Sequence, residues 1–392
     1  MNRVQAHFRF FGVLATVALP LSACAVPSQA PTPPRTTAAT ASSGSSTDLI
    51  KLIAGNGDTG VPVPGPAASS PLGRAEGVAV DAAGNVYVAD SASNVVVEVS
   101  ASGELRVVGG NGQTGSPVPG PATQSPLTPH SLAVDTAGNL YVLTSDGRQV
   151  EAGTALREGW TLVKVTPAGV LSVLAGNGKQ GIPAAGPATA SPLAYPQGVA
   201  VDQTGNVYIA LADALMVVKV SPDGNLSVIA GSGDKGAPST GPAVDSPLTW
   251  PNSVAVDDAG NLFLADDAVL AKVSADGMLS IVAGSGERGA VVAGPAADSP
   301  LHPTGVALGG RGNIAVVQYG GQGDTVALVT ATGQLSLWSD RLAMLLSGGV
   351  VGNGAEMLGI DGIAADTTGN LYVSYHFDRS NSVVVRLAVS GA

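Results

Sequence analysis

The chain has 392 residues, 45% of them hydrophobic but only 4% aromatic, so a large core must be built from Val, Ala, Leu and Ile rather than from rings. A formal charge of −11 argues against a phosphate-backbone partner, which needs clustered Lys and Arg. With 53 Gly and 27 Pro, the composition favours many short strands joined by tight turns, and "GNGDTG" (55–60) is no dinucleotide motif, because Pro-rich text follows where a helix is needed.

Arg3 and Arg9 form a basic start, "FFGVLATVALPL" (10–21) is apolar, and "LSAC" (21–24) closes the segment at Cys24. This is the pattern of an export signal, too short and too differently flanked for a membrane span. "LSAC" resembles the lipobox of bacterial lipoproteins, which implies cleavage before Cys24, acylation of its thiol and a protein anchored outside the cytoplasmic membrane. Ala23-Cys24-Ala25 also fits ordinary secretory cleavage, but Cys24 is the sole cysteine and its position favours the anchor. A lone cysteine allows neither an internal disulfide nor a Cys-rich zinc site. Residues 1–23 are therefore expected to be the signal. Residues 24–48, rich in Pro, Ser, Thr and Ala, cannot bury enough surface to offset their ordering entropy and read as a tether.

From 49 onward the text repeats. "AGNGDTGVPVPGPAASSPL" (54–72) returns in altered form at 109–127, 175–193, 230–248 and 283–301, a period that signals a repeat architecture. Between the copies come "GVAVD" (77–81), "GNVYVAD" (84–90), "NVVVEVS" (94–100) and "GELRVVGG" (103–110), with counterparts in most of six units. Each is a short β-branched run bounded by turn residues, so each unit supplies four strands. In "DAAGN" the Asp carboxylate takes backbone N–H groups and the Gly accepts positive φ, which is turn chemistry rather than a calcium loop. The sixth unit ends at "SVVVRLAVSGA" (382–392) without a fourth strand, while "DLIKLIAG" (48–55) is an outer strand without a unit. Residues 49–392 are thus predicted to be an all-β, six-bladed β-propeller, closed when the N-terminal strand completes the last blade. The Gly/Pro segments are expected to fill grooves between blades, each "SPL" plugging a Leu inward.

"GVAVDAAGNVYVAD" (77–90) followed by a Val-rich strand resembles the NHL repeat, a six-bladed propeller family. The resemblance covers 49–392 and is best in units one to four. Units five and six depart from it at Gly309, Gly310 and around Gly352, and unit two carries an insertion at 145–160. The family hosts sensors, RNA-binding domains, adhesion modules and lyases, so the fold alone fixes no function.

A repeat makes its exceptions visible. The residues entering the six inner strands are Glu76, His130, Gln197, Asn252, Thr304 and Asp361, predicted to ring the channel mouth on the face that carries the long linkers and the insertion. Six unlike polar groups suit a merely wet mouth, and the sharper alternative is a ligand site. Trp160 and Trp250 are expected near that face as exposed anchors, Trp338 in a buried outer-strand position and His376 on the rim. Asp90 and Asp266 are expected to cap the loops that follow them. Tyr87, Tyr141, Tyr208, Phe263 and Tyr372 occupy one repeated core position. Glu76, His130 and Asp361 fall on consecutive blades and form a competent donor set for a divalent cation, zinc or calcium. "PHSLAVD" (129–135) is similar to the histidine motif of the peptidylglycine amidating lyases, with only Pro129-His130 matching, and the ring positions resemble those of six-bladed lactonases.

Two functions follow as expectations. The first is a lipid-anchored, monomeric propeller outside the cytoplasm that binds a protein, glycan or small molecule at the mouth, with no nucleic-acid partner and no contact with the membrane beyond its anchor. The second is a metal-dependent lyase or lactonase at the same place. No Ser-His-Asp or Cys-His arrangement can be argued from the spacings.

Overall fold

The β-branched runs of each unit pair as antiparallel hairpins, and the Asp-x-x-Gly-Asn turns set their register. In the first unit Asp81 Oδ1 accepts the N–H groups of Ala83 and Asn85, and Gly84 takes a φ of +81°. The result, in a computed structural model that describes residues 50–147, 159–320, 324–338, 359–377 and 381–388, is six antiparallel sheets arranged as the blades of a β-propeller. Blade one consists of Ala75–Val80, Val86–Asp90, Val95–Val99 and Glu104–Gly109, from the axis outward. Blades two to five repeat this order. Blade six contains Gly359–Ala365, Leu371–His376 and Ser382–Leu387, and its outer strand is Ile50–Ala54, paired Ile50 with Leu387 and Leu52 with Val385. The expected closure by the N-terminal strand is therefore present. The signal, Cys24 and the tether lie outside the described residues, as do 148–158 of the insertion and the altered linker around Gly352.

The four-strand expectation needs one correction. Blades one to five have five strands, because the Gly-Pro of each linker (Gly65–Pro66 in the first) adds a two-residue strand to the outer edge of the blade it is about to enter. The linker leaves the outer strand of one blade, clips onto the edge of the next, and returns to the axis. Its letters now have reasons. The first Gly has positive φ, and a Cβ there would sit 2.2–2.4 Å from a carbonyl of the neighbouring strand, as at Gly55, Gly110 and Gly231. The Ser hydroxyl accepts the N–H seven residues earlier, as Ser70 does from Val63 and Ser246 from Ser239. The final Leu is fully buried in all five copies (Leu72, Leu127, Leu193, Leu248, Leu301), each burial stabilising by about 1.5–3 kcal/mol.

The core lies between blades rather than inside one. Leu72, Val78, Val88 and Val97 of blade one pack with Ala54, Tyr372 and Val384 of blade six, and the same pattern continues around the ring. The repeated tyrosines are buried as expected, and each hydroxyl also donates to the turn acid of its own blade: Tyr87 to Asp81, Tyr141 to Asp135, Tyr208 to Asp202 and Tyr372 to Asp366. Trp338 is only partly buried, against the blade-six cluster.

Candidate binding site at the channel mouth

Every inner strand carries a register irregularity at its second or third residue. The pairing skips from Ala75 to Gly77, Pro129 to Ser131, Pro196 to Gly198, Pro251 to Ser253, Pro303 to Gly305 and Ile360 to Gly362. The skipped residues are Glu76, His130, Gln197, Asn252, Thr304 and Asp361, so all six predicted ring residues are bulge residues. A bulge unpairs one residue and re-aims its side chain. Directly behind them, adjacent inner strands approach closely: a Cβ on Gly77 would lie 2.9 Å from the His130 carbonyl, and one on Gly198 2.8 Å from Ser253 Cα.

The structure brings Glu76, His130 and Asp361 together through partners the sequence reading missed. His130 Nδ1 lies 2.5 Å from Glu76 Oε2, and His130 Nε2 lies 3.2 Å from Ser145 Oγ. Ser91 donates to Glu76 Oε1 at 2.8 Å. Arg74 reaches both acids, with Nε 3.3 Å from Glu76 Oε1 and Nη2 donating to Asp361 Oδ1 at 3.3 Å. On the far side, His376 Nδ1 sits 2.8 Å from Asp361 Oδ2, too poorly aligned for a hydrogen bond, so both buried atoms lack one. Burial pushes the Glu76 carboxyl up, but the His130 hydrogen bond and charge, then Arg74 and Ser91, outweigh it and hold Glu76 below the usual carboxylate range. Asp324, which accepts the Ile360 N–H at 2.8 Å, is pushed upward by burial despite that bond and the nearby His376.

This donor set does not fit a bound cation. The Arg74 guanidinium lies between the two carboxylates, and both nitrogens of His130 already face partners. Among the described residues no group of three or more His, Cys, Asp or Glu side chains is placed to hold a metal ion. The contact Ser145–His130–Glu76 has the connectivity of a nucleophile, base and orienting acid, which the spacings did not suggest. Ser145, however, is completely buried, so its hydroxyl fixes the imidazole instead of meeting a substrate.

The opposite half of the mouth is aromatic. From the His130 ring the chain of contacts runs to Trp160 at 4.7 Å, Tyr195 at 6.0 Å and Trp250 at 6.2 Å between ring centroids. Trp160 corrects the expectation of an exposed anchor: it opens the third strand of blade two and is 2% exposed, a wall behind His130. Trp250 is 38% exposed, and Tyr195, which the sequence reading passed over, is 37% exposed. Tyr195 has φ +48°, whereas its counterparts Arg74, Thr128, Trp250 and His302 do not enter the left-handed region. That conformation costs a residue with a Cβ about 1–2 kcal/mol. Asp266 corrects another expectation. Its carboxylate does not cap the loop that follows but accepts the N–H groups of Thr249 (2.9 Å) and Trp250 (2.6 Å), fixing the backbone under the exposed indole. Asp90 does cap forward, taking the Ser93 N–H, and also holds Gly73 in the incoming linker.

Residues 130–291 match the family model described as the Teneurin NHL domain. Over that stretch the repeats are similar to NHL repeats. Among curated relatives, Teneurin-1 of Gallus gallus is 29% identical over 177 residues and Teneurin-3 of Danio rerio 28% over 177, in each case 41% of this chain. The chain matches about 6% of the length of those relatives. In solved structures, the propeller superposes on a structural-genomics protein of unknown function from Bacteroides thetaiotaomicron with a TM-score of 0.58 at 14% identity, covering 86% of this chain and 75% of that one. It also superposes on an auxiliary nutrient binding protein from the same organism with a TM-score of 0.54 at 10% identity, covering 86% and 76%. At these identities the likeness is one of fold.

Arg74 and Tyr195 precede ring residues by two positions, while Ser91, Ser145 and His376 pair with the strand entrance across the hairpin. The signal for them was positional: where the ring residue varies, its neighbours in the same tier vary too. His376 is accordingly not a peripheral rim residue but the closing residue of its strand, set against Asp361. On the opposite, turn-bearing face lie two clefts of about 590 and 380 Å³. The larger arises where blade five has Ala315 and Gly309 instead of the repeated Tyr and Asp. The larger is lined mainly by repeated turn residues, whereas the smaller also takes in the Glu98–Arg106 ion pair, whose counterparts in blades two to four are Lys and Ser.

Proposed function

We propose that this propeller is a binding module held outside the cytoplasmic membrane by a lipid on Cys24, and that it takes a protein, glycan or small-molecule ligand at the channel mouth. One observation carries the mouth assignment: six unlike polar side chains gather at one face, on bulges that aim them there, with Tyr195 and Trp250 two residues before two of them. Solved propellers of similar shape include two described as auxiliary nutrient binding proteins, which is the use proposed here. The anchor rests on "LSAC" alone. A metal-dependent lyase or lactonase lacks support in the donor set, and no reaction step is assigned.

A thermal-shift screen of the full chain against a library of amino acids, short peptides, sugars and organic acids tests the assignment. Compounds that raise the melting temperature should lose that effect in His130→Ala or Trp250→Ala and retain it in Asp202→Asn on the turn face. The reverse pattern would place the site on the wrong end of the channel. For the anchor, Cys24→Ser should release the protein from membranes or leave an uncleaved precursor. Unaltered membrane fractionation with no lipid on the wild-type N-terminal peptide would refute it.

A further inference from the structure

The two halves of the mouth are chemically unlike, and together they define a ligand class. Resting on the binding reading above, we propose that the mouth binds a neutral saccharide, a sugar ring stacking on Tyr195 and Trp250 while its hydroxyls meet Gln197, Asn252 and Glu76.

A sugar ring presents C–H groups on its faces and hydroxyls around its edge. Its recognition therefore needs a flat apolar surface beside planar hydrogen-bonding groups. Blades three and four supply that combination twice. Tyr195 stands two residues before Gln197, and Trp250 two residues before Asn252. The two aromatic residues pack edge to face with each other and still keep more than a third of their surface exposed. Trp250 is fixed from beneath by Asp266, and Tyr195 keeps a left-handed backbone that no counterpart shares. The amides have capacity to spare. The Gln197 side chain makes one long contact, its N–H to the Pro196 carbonyl at 3.5 Å, and Asn252 donates to the Pro303 carbonyl at 3.2 Å, so both amide oxygens remain open to a hydroxyl among the described residues.

The charged half argues for neutrality. Glu76 already faces His130 and Arg74, and Asp361 faces Arg74 and His376. A cationic ligand would have to displace Arg74 or an imidazole, and an anionic one would have to displace a carboxylate from Arg74. A hydroxyl can join such a network without displacing any charge. An extended peptide is disfavoured because the inner strands approach one another too closely to leave an open edge, as the space around Gly77 and Gly198 shows.

The test is calorimetric titration of the full chain, with tryptophan fluorescence in parallel, against maltohexaose, cellohexaose, xylohexaose, mannohexaose and the N-acetylglucosamine hexamer of chitin, with oligogalacturonate and hexalysine as charged probes. At least one neutral sugar should bind saturably and change the fluorescence. Trp250→Ala and Tyr195→Asn should each weaken it tenfold or more. Asn tolerates the left-handed conformation, so Tyr195→Asn should melt within a few degrees of wild type, which separates lost binding from lost folding. The proposal is overturned if no neutral sugar binds at 10 mM, if a charged probe binds more tightly than all of them, or if both variants bind as wild type does. If the library screen still finds a ligand of other chemistry that Trp250→Ala abolishes, the mouth assignment survives and only the saccharide fails.

Discussion

Arg74 decides the electrostatics of the mouth. Seen in sequence, Glu76, His130 and Asp361 look like cation ligands, because two carboxylates at one opening would otherwise repel. The guanidinium that relieves the repulsion lies two residues before Glu76, and nothing in the linear text says that these two side chains turn the same way. That depends on the bulge at position 76, which is a pairing irregularity and not a residue type. Zinc or calcium should therefore leave the melting temperature of the wild type unmoved. Arg74→Met should lower it, by about 1–2 kcal/mol of stability, and zinc should then restore part of the loss. A wild-type melting temperature that climbs with zinc concentration contradicts this account. Asp266 gives a second residue-scale prediction. Burial raises its pKa from the usual 3.8 to about 6, against the pull of the Thr249 and Trp250 N–H groups. Between those values the folded chain keeps a proton that the unfolded chain has released, so stability falls as pH rises through the window and is flat above it. The full effect is about 3 kcal/mol. Melting curves of wild type and Asp266→Asn should converge near pH 4 and separate by pH 6.5, the wild type losing more. Parallel curves would show that Asp266 ionises normally.

The linkers show what repetition can and cannot disclose about an element. Five copies of Gly-Pro-Ala-x-x-Ser-Pro-Leu announce a structural job, and the buried leucines confirm it. The Gly-Pro strand on the outer edge was not legible, since a two-residue pairing leaves no hydrophobic alternation to read. Leu193→Ala should cost about 2–5 kcal/mol in urea unfolding, as a fully buried leucine lost from the seam between blades two and three. Ala190→Ser, in the same linker but exposed, should change stability by less than about 0.5 kcal/mol. Equal midpoints for the two variants would mean that the linker is a passive connection. Trp160 failed as a prediction for a related reason. Its neighbours 148–158 interrupt the repeat, and an aromatic residue beside an insertion reads as exposed although it begins a strand that is paired on both sides.

At the scale of the whole molecule, the missing last strand and the orphan first strand made closure legible before any coordinates. Ring closure removes two exposed sheet edges at once. A chain beginning at Asp48 should melt as a cooperative body, whereas one beginning at Asn56 lacks Ile50–Ala54 and the backbone ladder to Val384–Leu387. The second should melt at least several degrees lower and tend to aggregate, and coincident melting curves would show that the strand is dispensable.

The asymmetry of the mouth is also a property of the whole ring, since its charged arc spans blades six, one and two while the Trp160–Tyr195–Trp250 arc spans blades two to four. The central claim is that ligands bind there, and hydroxyl-radical footprinting of the full chain tests it most directly. With and without the compound that most raises the melting temperature, protection is predicted at Tyr195, Trp250 and His130, with Asp81 to Asn85 and the other turns unchanged. Protection confined to the turn-bearing face, with Tyr195 and Trp250 as reactive as in the free protein, would contradict the account.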